Sequence, residues 1–323
     1  MYCTGKPIGE LRTKQMFQNF ELELEWRHMV PRGNAGIFVW ADDITSKGVP
    51  FHRGVEVQVL ENAYGNSQSH TTHGDIFPIH GAKMTPINGR GGSRAFPTEE
   101  RSKPSPEWNH YRIVCNDGTI SLAVNGKVVT QGKEASPRKG YICIESEGGV
   151  VEYRNMRLKV LPDSPVDAKD TAIADRGYRS VYSGLDLRGW KLGDKAADSW
   201  KANDWVLAFD GKASSGDAAL ALENSAEIKG ALLDFQFGEK SEVLRLNTPW
   251  SKDEIVVQAA GDKMFAAAIA KAGSWNRLEI SPSEKELTLK LNDSEFTLKR
   301  NESGRGLSIT ADGPVQLANL YVR

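Results

Sequence analysis

The sequence predicts an all-β protein built as two antiparallel sandwiches in tandem. Three observations carry this. NFELELEWR alternates strictly, with Phe20, Leu22, Leu24 and Trp26 on one side and Glu21, Glu23 and Glu25 on the other; a period of two marks a strand with one buried face. Short strand-like runs recur along the first half, and none carries a long helical period. Such strands bury their apolar faces against a second sheet. The carboxy-terminal half then echoes the amino-terminal half, the mark of an internal duplication.

The strand signals run in order. After NFELELEWR come AGIFVW and VEVQVL, then a long loop-rich stretch, then HYRIVC, TISLAV, KVVT, GYICIE and VEYRNMRLKV. Asn125-Gly126, between TISLAV and KVVT, predicts a two-residue hairpin because both positions tolerate positive φ. LPDSPVDAKDTAIADRG, from Leu161 to Gly177, is rich in Pro, Asp and Ala and reads as a linker. This divides the chain into a sandwich over residues 1–161, a linker over 162–177 and a second sandwich over 178–323.

Four echoes support the duplication. SWNRLEI repeats EWNHYRI, ELTLKLNDSEFTLK repeats TISLAVNGKVVTQG, GLSITADGPVQLANLYVR repeats GYICIESEGGVVEYRNMRLKV, and IKGALLDFQF repeats FQNFELELEW. The Ala-rich KMFAAAIAKA is locally helix-prone, but its place in the duplication predicts a strand. Between Phe20 and Trp108 the first copy spans 88 residues; between Ala231 and Trp275 the second spans 44. The surplus holds five of the six histidines, His28, His52, His70, His73 and His80. Long loops on a rigid sandwich cost little stability and often carry function, so the first copy is expected to hold the working site.

Composition narrows the function classes. The 323 residues carry 41 basic and 42 acidic side chains, a net charge of −1. That balance gives no reason to expect a nucleic-acid or membrane-surface partner. No run approaches the ~20 apolar residues that a membrane-spanning helix needs. Cys3, Cys115 and Cys143 are too few and scattered for a disulfide framework or zinc ribbon, and read as small buried hydrophobes. No signal peptide is visible, since no basic segment followed by an apolar core opens the sequence.

Three stretches carry chemistry. In VEVQVLEN, Val55, Val57 and Val59 are expected to face the core, leaving Glu56 and Gln58 on the other face roughly 6.5–7 Å apart. The pattern resembles the Glu-x-Asp-x-x-Glu strand of laminarinase-type glycoside hydrolases, with Gln58 where the central Asp would stand; this argues against hydrolysis by two carboxylates of this strand. HTTHGDIFPIHGAK gathers His70, His73, Asp75, His80 and Lys83. Imidazole is a proton carrier near neutral pH and a metal ligand, and imidazoles with a carboxylate can hold a divalent ion, though the spacing matches no standard zinc signature. Trp40, beside Asp42 and Asp43, is either core or a stacking platform for a sugar ring. GRGGSRAFPTEERSKPSP supplies Arg90, Arg94 and Arg101 as groups able to reach an oxyanion.

GELRTKQMFQNFELELEWR, GNAGIFVWADD, GVEVQVLEN, HGDIFPIHGAKMTP, SPEWNHYRIVCNDGTISLAVNGKVV and PRKGYICIESEGGVVEYRNMRLK, read together, resemble the 3-keto-disaccharide hydrolase domain, also called the 3-keto-glucoside 1,2-lyase/3-keto-2-hydroxy-glucal hydratase domain. The resemblance covers about residues 3–161. The second copy resembles the same domain weakly and keeps YSGLDLRGWK, which looks like the family's opening strand and turn. The first copy has no such phrase before Tyr2: either the true start lies earlier or an edge strand comes from elsewhere, and a missing strand would leave an open sheet edge. The resemblance implies a concanavalin A-like jelly roll, a periplasmic or extracellular location, and an oligosaccharide or 3-keto glycoside as substrate.

The reaction so implied removes the C2 proton beside a C3 ketone, expels the C1 substituent and adds water at C1. It needs a base, an enolate stabiliser and an acid. His73 is the expected base, with His80 second and Asp75 orienting it. Glu56 is the expected acid. Lys83 or Arg94 faces the oxyanion, and Asn34, Trp40 and Gln58 hold the sugar. A divalent ion on His73, Asp75 and His80 is the other route to enolate stabilisation; the sequence fixes no cofactor. Two rival readings stand beside this one: a non-catalytic carbohydrate-binding module, and an ordinary glycosidase acting on unoxidised sugars.

Overall fold

In the computed structural model, which describes residues 1–43, 51–71, 73–203, 205–238, 243–258, 264–301 and 304–323, nearly every element is a β-strand. The chain divides into two compact units that part between Arg176 and Gly177. Each is a two-sheet antiparallel jelly roll.

The first unit contains β1 (Tyr2–Cys3), β2 (Gly9–Arg12), β3 (Phe20–His28), β4 (Asn34–Ala41), β5 (Gly54–Leu60), β6 (His73–Ile79), β7 (Lys83–Pro86), β8 (Asn109–Asn116), β9 (Thr119–Val124), β10 (Lys127–Ser136), β11 (Tyr141–Ser146) and β12 (Val151–Val160). One sheet has the order β1-β12-β3-β8-β9-β10-β7 and the other β2-β11-β4-β5-β6. The alternation in β3 does what it predicts: Phe20, Leu22, Leu24 and Trp26 are buried and the glutamates between them partly exposed. From the facing sheet Val55, Val57 and Val59 enter the same core at 0% exposure. Trp26 meets Tyr111 edge-on at 5.3 Å, and the Tyr111 hydroxyl donates to the Gln58 carbonyl at 2.9 Å. Fully burying a side chain of this kind contributes about 1.5–3 kcal/mol. Asn125 (φ 47°) and Gly126 (φ 88°) make the two-residue turn between β9 and β10, where Val124 pairs with Lys127.

Trp40 departs from simple parity. Val39 and Trp40 both point into the core, at 0% exposure. The cause is local: Trp40 has φ 53°, and the β4–β11 register slips between Tyr141 and Cys143. Such a bulge turns one extra side chain inward. The Trp40 indole donates to the Gln18 carbonyl at 2.7 Å.

The Leu161–Gly177 stretch is bound to the first unit over most of its length. Asn19 donates to the Pro162 carbonyl at 2.7 Å, the Ala172 amide to Lys139 at 2.8 Å and the Ile173 amide to the Asp42 carboxylate at 2.8 Å. Ala172 and Ile173 are fully buried.

In the second unit, strand Trp275–Pro282 lies between Ala231–Phe237 and Glu286–Leu291, as β8 lies between β3 and β9. In KMFAAAIAKA, Lys263 lies outside the described residues, and Met264–Ala270 forms turns rather than the expected strand. The Ile269 amide donates to the Phe265 carbonyl at 3.0 Å, one helical turn in which local propensity prevails. No described helix is long and apolar enough to cross a membrane.

Candidate active site

The outer face of the five-stranded sheet in the first unit collects the polar groups. Its geometry follows from register. Glu10 on β2 opposes Glu145 on β11; Ile144 opposes Ile37 on β4, which sets Glu145 beside Gly36. Gly36 opposes Gln58, Phe38 opposes Glu56, and Glu56 opposes Phe77 on β6. The neighbours Ile37, Val57 and Ile76 point the other way, into the core. Strand alternation alone therefore arrays Glu10, Glu56, Gln58 and Glu145 on one surface.

Gly36 makes the centre of this array. A Cβ there would lie 2.7 Å from Glu56 Oε1 and 2.9 Å from Glu145 Oε2. The two carboxyl groups thus converge on the space that one methyl group would fill. Glu56 is 8% exposed and Glu145 3%. Glu145 Oε2 is buried with no hydrogen-bond partner among the described residues, an arrangement that is uncommon because an unmet buried polar atom costs about 1–3 kcal/mol. Asn34 frames the site, accepting from Gln58 Nε2 at 3.0 Å and donating to Glu147.

Both central carboxyl groups are hard to ionise. Burial pushes Glu56 up to about 8, opposed by Arg94 and reinforced by Glu147, Glu10 and Asp75. Burial pushes Glu145 up to about 9, with Glu56, Glu147 and Glu10 adding to the effect. Glu147 is also raised, chiefly by burial. Between the ordinary glutamate value and these raised values the folded protein holds protons that the unfolded chain has lost. Stability contributed by these groups is therefore complete below the ordinary value and is lost as pH rises through about 8 to 9. Urea unfolding of the protein is expected to show a falling midpoint from pH 5 to pH 9, and Glu145→Gln is expected to flatten that fall.

Arg94 reaches the same face. It pairs with Asp75 at 2.8 Å and lies over the Phe77 ring at 3.5 Å. Asp75 is fully buried and also accepts from the Thr71 amide at 3.0 Å. Its carboxylate is thus engaged by Thr71 and Arg94. His73 is buried, bonded to the Ser102 hydroxyl and to the Ser102 amide at 3.3 Å, and burial lowers it to about 4.

The residues singled out in the sequence separate accordingly. Glu56, Gln58, Asn34 and Arg94 share the site with Asp75 at its margin. His73 and His80 stand at opposite ends of β6, and seven residues of extended chain span roughly 20 Å or more; they do not form one base pair or one metal cluster with Asp75. His80 lies instead beside Phe51, stacked at 6.1 Å, and burial lowers its basicity, with Glu10 opposing and His52 adding to the effect. Trp40 is a correction: as a core residue it offers no face to a sugar. Lys83 is another. It is exposed on β7, which pairs with β10 at the edge of the other sheet. Of the remaining arginines, Arg101 is held by the Val124 and Asn125 carbonyls and Arg90 by the Ser67 carbonyl.

Glu145, Glu147 and Glu10 were absent from the sequence-based site. The signal was present in GYICIESEGG, where Cys143, Glu145 and Glu147 alternate with the apolar Ile142 and Ile144. Reading this as a second polar row, parallel to Glu56 and Gln58, required knowing that β11 and β5 flank β4.

Residues 1–159 match the 3-keto-alpha-glucoside-1,2-lyase-like domain family. A 3-keto-disaccharide hydrolase of Bacteroides thetaiotaomicron is 28% identical over 188 residues, covering 47% of this chain and 62% of that protein. The chain therefore spans less than two thirds of that relative's length. Among solved structures, a glycosyl-hydrolase-like protein of Parabacteroides distasonis aligns over 48% of this chain and 85% of its own, with 22% identity and a TM-score of 0.37. The carbohydrate-binding module CBM66 of Bacillus subtilis aligns over 47% and 82%, with 9% identity and a TM-score of 0.33.

Proposed function

Because its amino-terminal unit belongs to the 3-keto-α-glucoside-1,2-lyase-like family, we propose that this protein cleaves 3-keto glycosides at the five-stranded sheet of that unit, with Glu56 and Glu145 as the proton-transfer pair. The observation that carries this reading is the convergence of two buried, hard-to-ionise carboxyl groups over Gly36, one of them with an oxygen that has no partner among the described residues.

The chemistry assigns the roles. A C3 ketone acidifies the C2 hydrogen. Arg94 favours the ionised form of Glu56, so Glu56 is the more readily ionised of the pair and serves as base. It takes the C2 proton, and the C2–H electrons form the enolate. As the enolate collapses, a C1=C2 double bond forms and the C1–O bond breaks. Glu145, protonated at neutral pH, gives its proton to the departing oxygen. Water then adds at C1 while a proton returns to C2, so that the net change is hydrolysis of the glycosidic bond. Arg94 lies near enough to Glu56 to affect its charge and supplies positive charge for the developing C3 oxyanion. Asn34 and Gln58 offer amide groups to sugar hydroxyls. His73, desolvated and weakly basic, is left as a buried partner of Ser102 rather than the base.

The carboxyl pair also favours one other reading, an ordinary glycosidase. Incubation of the protein with a 3-keto glucoside and, separately, with the parent glucoside decides between them. Release of the leaving group from the oxidised sugar alone is expected. Cleavage of the parent at a similar rate would overturn the reading in favour of plain hydrolysis, and binding of either sugar without turnover would leave a carbohydrate-binding module.

A further inference from the structure

The same face carries a second cluster that the proposed reaction does not use. Glu10, His52 and Cys143 bring a carboxylate oxygen, an imidazole nitrogen and a thiol sulfur within 4.8 Å of one another. They arrive from three separate segments: Glu10 from β2, Cys143 from β11, and His52 from the stretch before β5. Cys143 is fully buried; the Glu10 and His52 side chains are 3% and 22% exposed. Glu10 Oε2 and His52 Nδ1 are hydrogen-bonded at 2.6 Å.

We propose that Glu10, His52 and Cys143 form a binding site for a soft divalent cation of the zinc class. The donor set selects the ion. A thiolate and an imidazole favour zinc-like metals, whereas calcium and magnesium take oxygen ligands. Three protein ligands leave a fourth position for water or an oxygen of a bound molecule. The neighbouring arginines do not compete for these donors. Each neighbouring arginine is already held by an aspartate: Arg12 by Asp43, Arg53 by Asp42 and Arg94 by Asp75. Glu10 is left to His52, its hydrogen-bond partner.

Without metal, Glu10 and His52 are hydrogen-bonded to each other, and burial keeps the proton on the Cys143 sulfur. On binding, the hydrogen between Glu10 and His52 Nδ1 moves to His52 Nε2 through solvent and the Cys143 thiol releases its proton to solvent, so that a carboxylate oxygen, a neutral imidazole nitrogen and a thiolate face the cation. This inference rests on the three donors alone and stands whether or not the sugar chemistry above is correct.

Cobalt(II) titration of the chelator-treated protein tests it. The expected result is one equivalent bound with a thiolate-to-cobalt charge-transfer band in the near ultraviolet. Cys143→Ser is expected to remove the band and Cys3→Ser to keep it. His52→Ala, at the most exposed of the three donors, is expected to weaken binding at least about tenfold, the cost of disturbing even an outer partner of a metal site. Circular dichroism confirms that each variant is folded; should Cys143→Ser not fold, the His52→Ala affinity decides. Absence of stoichiometric binding, a band that survives Cys143→Ser in folded protein, or unchanged affinity in His52→Ala would overturn the site.

Discussion

Glu145→Gln is expected to lower kcat/KM toward a 3-keto disaccharide by about 10²–10⁴-fold, the usual worth of a positioned proton donor, and to leave the thermal midpoint unchanged or raised. The two halves of this prediction share one cause. Glu145 is 3% exposed, with Oε2 unpartnered among the described residues, so the folded protein bears a cost at this position that serves no packing purpose. The amide keeps the shape of the side chain and removes the ionisable proton. Loss of activity with no loss of stability is the signature of a strained functional group rather than a structural one. The leaving group gives a further check. A 3-keto glucoside of nitrophenol departs without protonation, so the same variant is expected to cleave it nearly as fast as the wild type. A uniform loss across leaving groups would place Glu145 elsewhere in the mechanism.

Gly36→Ala carries the second large effect. Its Cβ would meet Glu56 Oε1 at 2.7 Å and Glu145 Oε2 at 2.9 Å, closer than real Cβ contacts allow. Gly36 lies within β4, outside the positive-φ residues, so alanine fits the backbone and the strain falls on the carboxyl groups. These are the ends of flexible side chains and can swing apart at small cost to the fold. Displacing reacting groups by an ångström can cost about 10²-fold in rate. A loss of that order in kcat/KM is expected, with a midpoint close to wild type. Wild-type activity in Gly36→Ala would show that the convergence over this glycine has no part in turnover.

Much of the fold was legible because strand parity is a local property. NFELELEWR fixes the buried face of β3 by itself, and Asn125-Gly126 fixes its hairpin by itself. The failures also have local physical causes. Trp40 turned inward because one left-handed residue shifts the register of β4, and nothing in GIFVW signals a bulge. Met264–Ala270 became a turn because an alanine run satisfies its own backbone more readily than it pairs. The site was half legible. Glu56, Gln58, Asn34 and Arg94 were visible as polar residues on or beside predicted strands. Glu145 and Glu10 were not, since their meeting with Glu56 depends on the order β2-β11-β4-β5, a pairing across more than a hundred residues that periodicity does not encode. The histidines drew attention by their number, yet His73 is buried against Ser102 and His80 lies at the far end of its strand. Density in sequence did not become proximity in space, because an extended strand carries its residues apart at about 3.3 Å each.

The central claim is that Glu56 removes the C2 proton of an oxidised sugar. It is tested most directly in deuterated water with a 3-keto disaccharide, reading deuterium at C2 of the recovered substrate by NMR against an enzyme-free control. Glu145→Gln blocks departure of the leaving group but leaves the base, so this variant is expected to wash deuterium into C2 well above the control. Glu56→Gln is expected to show the control rate. Exchange in Glu56→Gln as fast as in Glu145→Gln, or no enzyme-dependent exchange in Glu145→Gln, would contradict the account.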